Sequence, residues 1–312
     1  MTTYNGQDYV EEQIDSILNQ TYRQLHLTIS DDSSSDNTLN ILKRYQAKFT
    51  NITIMTNQKR IGYVKNFEQL LNHIQGEYFA LSDQDDIWDR DKIEKMMNSM
   101  VAHEKSNPNV PIMVHSDLRM IDKDGKELNL SYSKFRNYHF KSSKDIATLV
   151  SRGGVMGNTI LMNNFLRKLV LPFDKNVVHH DYWIALVNEL KGHRISLKEA
   201  LVSYRIHDKN TSNKIDLFNK KRSKQTHQAL PYRDNNRYEI LKGVIKRYAI
   251  SNEDKRSIVI FLRYLRAQNG WLQHYPKMLK EGFFSGSNHY KYLVRFAKAS
   301  IRVNYHRKMD AL

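Results

Sequence analysis

Short apolar stretches alternate with stretches of helical spacing through the first 90 residues of this 312-residue chain. Apolar side chains recur every three or four positions at Val10, Ile14 and Ile17, and again over residues 64–74. Buried strands are predicted between such stretches, at residues 25–29, 52–55 and 78–81. Regular alternation of strand and helix predicts a parallel sheet with helices on both faces, which is an α/β fold.

The same pattern extends beyond residue 100. Further strands are predicted at residues 112–116, 155–162 and 201–206, and a further helix at residues 181–190. The sequence Asp-Lys-Asp-Gly at 122–125 predicts a tight turn. Residues 128–150 follow neither period and are left unassigned.

Composition excludes several classes of protein. Hydrophobic residues make up 40% of the chain, which suffices for a core. No apolar run approaches the roughly 18 residues that a membrane span requires. Cysteine is absent, which excludes disulfides and thiolate metal sites. Met1 is followed directly by polar residues and not by a secretory signal, so we expect a cytoplasmic protein.

Positive charge is concentrated in the last third of the chain. Residues 1–212 carry 27 Lys and Arg against 26 Asp and Glu, whereas residues 213–312 carry 22 against 7. Helical patterns in this basic part occur at residues 237–248, 253–271 and 289–307. We therefore predict a main domain over 1–212 and a small basic helical domain over 213–312. The charge favours an anionic partner, namely a membrane surface, a nucleic acid or a charged acceptor, or else it belongs to a solvated helical surface.

An acidic cluster directly follows the strand predicted at 78–81. Asp83, Asp85 and Asp86 place three carboxylates within four residues, and their repulsion calls for a cation or for hydrogen-bond donors. The carboxyl ends of strands in α/β sheets are where ligands bind. We interpret the cluster as the site of a divalent metal whose coordination shell is completed by diphosphate oxygens.

Other interpretations of the acidic cluster remain open. A solvated turn that caps the following helix would need no cation. An EF-hand calcium loop would take ligands from Asp83, Asp85 and Glu94, although Trp88 stands where such a loop needs glycine. Asp86 has no assigned ligand role, and we expect it to cap the next helix.

Asp31 and Asp32 form a second acidic pair, again at the end of a predicted strand. One aspartate could cap the helix that follows, but two exceed that need. One of them is a candidate acceptor of hydrogen bonds from a nucleobase or a ribose. In a parallel sheet, this strand end and the acidic cluster can lie at the same edge.

Two histidine-containing motifs complete the candidate site. Asp181, which follows His179 and His180, is either a helix cap or a general base that takes a proton from an acceptor hydroxyl. A zinc site would need a third ligand, and adjacent histidines rarely face the same way. Arg205 and His207 share one face of the strand predicted at 201–206. They suit a leaving phosphate, and His207 could ligate a metal or be purely structural.

No glycine-rich phosphate loop is present. The glycines at 153, 154 and 157 lack both the required spacing and the following Lys-Ser/Thr. Phosphate groups would therefore have to be bound through a metal and side chains.

Taken in this order, the motifs resemble those of family 2 glycosyltransferases of the GT-A fold. The matching residues are 2–6, 16–21, 31–36, 66–67, 82–88, 180–183 and 204–207. The resemblance covers about residues 1–212 and is strongest to the bacterial rhamnosyltransferase-type branch, which builds cell-surface polysaccharides and glycans. It implies a Rossmann-like, mostly parallel sheet flanked by helices. The small C-terminal helical domain predicted from the helical patterns follows that sheet and lies outside the matching motifs.

The resemblance also implies a role for each site residue. The residues that would hold the nucleobase and ribose are Thr2, Tyr4, Asp32 and Asp83. Asp85 would bind the Mn²⁺ or Mg²⁺ that bridges the diphosphate, with His207 near the diphosphate or the metal. Asp181 would be the catalytic base of an inverting single displacement.

The implied partners are a UDP- or dTDP-linked sugar donor and a saccharide acceptor, linked to lipid or protein. The basic helices would contact the acceptor, a second copy of the chain, or the anionic inner face of the membrane, where each Lys or Arg contributes about 1 kcal/mol. Nucleic acid is not expected. Two other classes stay open: a degenerate, non-catalytic module that binds a partner through the basic helices, and a nucleotidyltransferase, which would bring a glycine-rich phosphate loop near the first strand.

Two positions depart from the family's pattern. Family members carry several apolar residues before the segment that corresponds to 2–6, and these form a central first strand. We therefore expect either a shortened first strand or a native start upstream of Met1. Ser33 stands where the family commonly has glycine, so we expect some backbone strain at that turn.

Overall fold

The structure is a computed structural model that describes residues 1–136, 138, 144–208, 210, 229–266, 271–280 and 283. Its amino-terminal part is a parallel sheet in the order β1-β2-β3. The strands are β1 (Thr2–Thr3), β2 (Leu27–Asp31) and β3 (Ile52–Thr56). The helices that follow them in turn are α1 (Val10–Leu18), α2 (Thr38–Lys48) and α3 (Tyr63–His73). The predicted alternation of strand and helix is confirmed here.

A second sheet of six strands has the order β4-β8-β6-β9-β5, with β7 paired to β6. Its strands are β4 (Tyr78–Ala80), β5 (Ile87–Trp88), β6 (Ile112–Ile121), β7 (Glu127–Asn129), β8 (Ile160–Asn163) and β9 (His193–Arg205). Only β6 and β9 pair in parallel, and the other pairs of this sheet are antiparallel. A backbone hydrogen bond of 3.4 Å from Thr2 N–H to Ser82 C=O joins the two sheets. The parallel pairing predicted from the first 90 residues thus describes the first sheet.

The remaining helices cover these sheets. They are α4 (Lys92–Ser106), α5 (Tyr132–Arg136), α6 (Ile146–Arg152), α7 (Asn164–Val170), α8 (His180–Lys191), α9 (Ala229–Arg247), α10 (Asn252–Arg266) and α11 (Trp271–Lys280). A 3₁₀ turn at Gly157–Thr159 precedes β8. Within the described ranges, no helix is both long and apolar enough to cross a membrane.

Two clusters of buried apolar side chains hold these elements together. One joins α1, α2 and α4 to the strands, through Ile14, Leu42 and Met96. The other joins α8 to the C-terminal helices, with Trp183 and Leu241 fully buried in it. Helices α9 and α10 therefore share a core with the domain predicted at 1–212. Most residues around the predicted boundary lie outside the described part of the chain, so that boundary stays a prediction.

Some predicted elements differ from the observed ones. The strand expected at 155–162 is a 3₁₀ turn followed by β8, because the C=O of Met156 accepts hydrogen bonds from both the N–H and the hydroxyl of Thr159. Strand β9 starts at His193, before the predicted 201, since it pairs with β6 along most of its length. Of the helix expected at 253–271, α10 is described as far as Arg266, and residues 267–270 lie outside the described part of the chain. The helix expected at 289–307 lies outside the described residues.

An apolar groove lies between β2 and β4, beside the two-residue strand β1. Its volume is about 550 Å³. Strand and helix residues line it, among them Leu27, Phe67, Phe79 and Trp88. Strand β1 has two residues, and the groove is the space that lies alongside it. A shortened first strand and a native start upstream of Met1 both stay predictions.

His115 is a buried titratable group in the middle of β6. Its ring is 6% exposed, and its Nε2 lies 2.8 Å from the hydroxyl of Ser196. Burial, and then the positive charge of Arg194, lower the pKa of His115 to about 3. The folded protein therefore keeps this ring neutral at pH values where the unfolded chain, with a pKa near about 6.5, binds a proton.

The replacement His115→Gln is expected to lower the free energy of unfolding at pH 7.5. The difference from the wild type should be smaller at pH 5. Below about pH 6.5 the unfolded wild type gains a proton that the folded form excludes, so wild-type stability falls by about 2 kcal/mol between pH 6.5 and pH 5. The glutamine variant lacks this loss. Urea unfolding at both pH values measures the difference, with His26→Gln, at an exposed ring bonded to Thr53, as the matched control. A difference that does not narrow on acidification would contradict this prediction.

Candidate active site

The predicted metal ligands Asp85 and His207 are brought together at one edge of the sheets. Asp85 lies in the loop between β4 and β5, and His207 follows the end of β9. His207 Nε2 and Asp85 Oδ2 are 2.9 Å apart, and both side chains are largely buried. Asn210 adds a hydrogen bond of 3.3 Å to the same carboxylate oxygen. Two chain segments 120 residues apart thus present a carboxylate and an imidazole to one point.

Asp83 and Asp181 complete the acidic part of this site. Burial raises the pKa of Asp83 to about 7, and repulsion from Asp85 and Asp181 adds to the shift. Asp83 is therefore near enough to both of the other carboxylates to be repelled by them. Asp181 lies in the first turn of α8 and remains partly exposed, so its carboxylate is accessible to a substrate hydroxyl.

Arg205 does not take the role expected for it beside a leaving phosphate. Its guanidinium is buried and donates to the backbone C=O of Asp85 at 3.0 Å and of Lys123 at 3.1 Å. It also pairs with Glu12 and lies over the Tyr9 ring, 4.7 Å from its centroid. Because protein oxygens occupy all three of its nitrogens, Arg205 shapes the site and is not free to bind phosphate.

The residues predicted to hold the nucleobase lie around the loop between β3 and α3. The Asp32 carboxylate is buried and accepts hydrogen bonds of 2.8 Å from the N–H groups of Ile61 and Gly62. It also accepts one of 3.0 Å from the Asn57 side chain. Gly62 has φ +86°, a conformation that glycine adopts readily. Asp32 therefore holds this loop in place, in addition to any contact with a nucleotide.

Tyr4 lies between this loop and the acidic cluster. Its backbone N–H donates to Gln84 Oε1 at 2.8 Å, and its C=O accepts from Gln84 Nε2 at 3.0 Å. The guanidinium of Arg60 lies 4.0 Å from the centre of its ring. Thr2, at the start of the same segment, is 8% exposed. Sequence reasoning missed Gln84 and Arg60, although Gln84 stands inside the acidic motif itself.

Ser33 has φ +64°, which is a left-handed backbone conformation. This conformation is the source of the strain expected where serine replaces glycine. The adjacent Ser34 donates to Asp31 through both its N–H, at 2.9 Å, and its hydroxyl, at 2.6 Å. Asp31 thus stabilises the strained turn, while Asp32 points to the neighbouring loop.

His180, which the sequence analysis considered only as a zinc ligand and as part of the family match, packs inside the site. Its ring stacks on Phe67 with centroids 4.0 Å apart, and within the described residues neither ring nitrogen has a hydrogen-bond partner. Burial lowers its pKa to about 4. A Cβ atom at Gly157 would lie 2.8 Å from His180 Nε2 and 3.6 Å from the Cβ of Asp181. Glycine is therefore needed at 157 because the 3₁₀ turn approaches α8 so closely.

The geometry decides against two of the alternative metal sites. His179 Nδ1 lies 3.0 Å from the Tyr63 hydroxyl, whereas His180 packs on Phe67, so the two rings do not face one point. Glu94, the last ligand of the EF-hand alternative, accepts a hydrogen bond from Thr21 instead. Among the residues described, no group of three or more His, Cys, Asp or Glu could hold a metal ion by itself.

The donor set at Asp85 and His207 fits Mn²⁺ or Mg²⁺. One carboxylate and one imidazole leave most of a six-coordinate shell open. These ions characteristically fill such a shell with waters and substrate phosphate oxygens.

The family model for glycosyl transferase family 2 matches residues 1–164, which is more than half of the chain. The chain belongs to glycosyl transferase family 2. The matched part of this family 2 chain contains Thr2, Tyr4, Asp32, Asp83 and Asp85, and it ends before α8.

Curated relatives are bacterial members of the same group. The dTDP-rhamnosyl transferase RfbG of Shigella flexneri is 41% identical over 106 residues, which are 32% of this chain and 37% of that protein. An uncharacterised glycosyltransferase of Haemophilus influenzae is 30% identical over 218 residues, which are 67% of this chain and 65% of that protein. The matches thus span between about one third and two thirds of these relatives' lengths.

A solved structure shows the same fold. It is the mannosyltransferase PcManGT of Pyrobaculum calidifontis, in complex with GDP-Man and Mn²⁺. The likeness covers 96% of this chain and 78% of that one, with a TM-score of 0.58 and 17% sequence identity. The GT-A fold predicted from the motifs is confirmed.

Proposed function

We propose that this protein transfers a sugar from a nucleoside diphosphate donor to a hydroxyl group of a saccharide acceptor, with inversion at the anomeric carbon and with Mn²⁺ or Mg²⁺. One observation carries the proposal. Asp85 and His207 meet at 2.9 Å, and the charges of both Asp85 and Asp181 act on Asp83. The proposed site thus combines ligands for a metal–diphosphate complex with Asp181, a carboxylate that can accept a proton.

Each residue of the proposed site has its own role in the reaction. Asp181 accepts the proton of the acceptor hydroxyl while the oxygen of that hydroxyl attacks the anomeric carbon of the donor sugar. Asp85 and His207 hold the cation, which when bound offsets the charge that develops on the leaving diphosphate. Tyr4, flanked by Gln84 and Arg60, forms one wall for the nucleobase. Asp83, on which the charges of Asp85 and Asp181 act, would contact the ribose.

The donor sugar is proposed from the relatives. The Shigella protein is named as a dTDP-rhamnosyl transferase, which makes dTDP-rhamnose the first donor to test. UDP-hexoses are the second. The acceptor would be a lipid- or protein-linked saccharide used for the bacterial cell surface. The protein would then work in the cytoplasm or at the inner membrane face, with its basic C-terminal helices contacting the acceptor, the membrane or a second copy.

Nucleotide binding that requires a metal is the first expected result. One of UDP, dTDP and GDP, at about a hundred times its Kd, should raise the melting temperature by about 5 °C in the presence of Mn²⁺. Without the metal the shift should be much smaller, because the diphosphate would face Asp83 and Asp85 with no cation between them. Melting followed by circular dichroism, with each nucleotide and with or without Mn²⁺, measures this. No shift with any nucleotide would favour the non-catalytic module.

A further inference from the structure

Asp86 is the one carboxylate of the acidic cluster that the proposed reaction does not use. It is fully buried, with 0% exposure. Its Oδ1 accepts a hydrogen bond of 3.2 Å from the backbone N–H of Arg205, and its Oδ2 accepts one of 2.6 Å from Asn158 Nδ2. The residue that precedes α4 is Asp91, so the expectation that Asp86 caps this helix is wrong.

One set of hydrogen bonds connects Asp86 to the proposed metal ligands. Arg205, held by Asp86 through its N–H, donates from Nε to the C=O of Asp85 at 3.0 Å. The C=O of Arg205 accepts a hydrogen bond of 3.0 Å from Asn210, whose side chain also contacts Asp85 and accepts from the N–H of His207 at 2.6 Å. The positions of Asp85 and His207 thus both depend on Arg205.

A second set of contacts connects Asp86 to Asp181, the proposed catalytic base. Asn158 lies in the 3₁₀ turn, next to Gly157, which fits closely against His180 and Asp181. The C=O of Asn158 also accepts a hydrogen bond of 2.8 Å from the buried ammonium of Lys92. A shift of Asn158 would therefore move the turn that supports the first residues of α8.

We propose that Asp86 is a positioning residue that couples the two sides of the site, holding Asp85 and His207 through Arg205 and holding Asp181 through Asn158. The proposal rests on the proposed function, since it concerns the metal ligands and the base assigned there. Buried residues that orient metal ligands contribute about tenfold to a hundredfold to metal affinity or activity.

Exchanging the side chains of Asp86 and Asn158 distinguishes a positioning role of Asp86 from a general contribution to stability. In Asp86→Asn, one side-chain oxygen remains to accept from two donors, so the contact with either Arg205 or Asn158 is lost. The double variant Asp86→Asn, Asn158→Asp again places an amide opposite a carboxylate and leaves an oxygen for the Arg205 N–H. The single variant should weaken Mn²⁺ binding in the presence of dTDP or UDP, and lower kcat, by about tenfold to a hundredfold each. The double variant should recover most of both losses.

The control is Asp254→Asn, at another buried carboxylate. Asp254 accepts hydrogen bonds from Lys144 at 2.6 Å and from Ser251 at 2.7 Å, in the C-terminal helices. This variant should lose stability without any change in Mn²⁺ affinity. Electron paramagnetic resonance of free Mn²⁺ gives the affinity independently of turnover.

Several outcomes would overturn the proposal. Wild-type Mn²⁺ affinity and kcat in a folded Asp86→Asn variant would do so, and so would a double variant no better than the single one. If Asp86→Asn does not fold, Asn158→Ala serves in its place. It removes the hydrogen bond between Asn158 and Asp86 and leaves the one from Arg205. Unchanged kcat in that variant would equally contradict the proposal. Failure of the proposed function looks different, because then the wild type itself would show no nucleotide-dependent Mn²⁺ binding.

Discussion

Replacing Asp181 by asparagine is expected to lower kcat by about a hundredfold to ten-thousandfold while leaving the Kd for the nucleoside diphosphate nearly unchanged. Asparagine has almost the same shape but cannot accept a proton from the acceptor hydroxyl. The side chain lies in the first turn of α8, and it is not part of the Asp85–His207 pair that would hold the metal. Donor turnover and calorimetric titration with the nucleotide measure the two quantities separately.

The matched control for Asp181 is Asp174→Asn in the loop before α8. Asp174 accepts hydrogen bonds of 2.9 Å from the backbone and side chain of Asn176, and the replacement changes charge equally. Its kcat should stay within about twofold of the wild type, since a change away from the site has little effect on chemistry. Turnover by Asp181→Asn at the rate of this control would remove Asp181 from the role of base.

The second large effect is expected for Asp85→Asn. Loss of the carboxylate should weaken Mn²⁺ binding by more than about a hundredfold, because an amide oxygen is a neutral and weaker ligand than a carboxylate. The nucleotide-dependent rise in melting temperature should then disappear at Mn²⁺ concentrations that saturate the wild type. His207 would also lose the partner that lies 2.9 Å from its ring.

An equal change of charge close to the site provides the control for Asp85. Asp124 is exposed on the turn between β6 and β7, and its neighbour Lys123 contacts Arg205 through its backbone oxygen. The variant Asp124→Asn should bind Mn²⁺ like the wild type. Equal weakening in both variants would mean that general electrostatics, and not ligation by Asp85, governs metal binding.

The sequence predicts the first sheet well, for a local reason, whereas the roles given to the site residues stay predictions. The strands that precede Asp32 and Asp83, β2 and β4, have clear apolar patterns. They lie in different sheets, and β1 lies between their carboxyl ends, because Thr2 pairs with Ser30 and its N–H donates to the C=O of Ser82. The motif at His207 is also local, so its place at the end of a strand could be recognised. Residue type and spacing singled these residues out, and the roles predicted for them come from the resemblance to the family.

The residues that were misread depend on contacts distant in sequence. Arg205 was expected to face a phosphate, and only its bonds to Glu12, Asp85 and Lys123 show that it is a buried support. Asp86 was expected to be a helix cap because its partner Asn158 lies 72 residues away. No local period predicts such pairs. The antiparallel insertion of β8 between β4 and β6 was missed for the same reason.

The groove between β2 and β4 determines how the melting experiments should be done. Reporter dyes that brighten in apolar surroundings detect unfolding by binding newly exposed apolar surface. Here about 550 Å³ of apolar space is already open to them in the folded protein, and Trp88 lines it. Such dyes should give a high initial signal and, by binding the native state, should themselves raise the apparent melting temperature. Trp183 is fully buried in the other core, away from the groove, so its intrinsic fluorescence offers a dye-free report of unfolding.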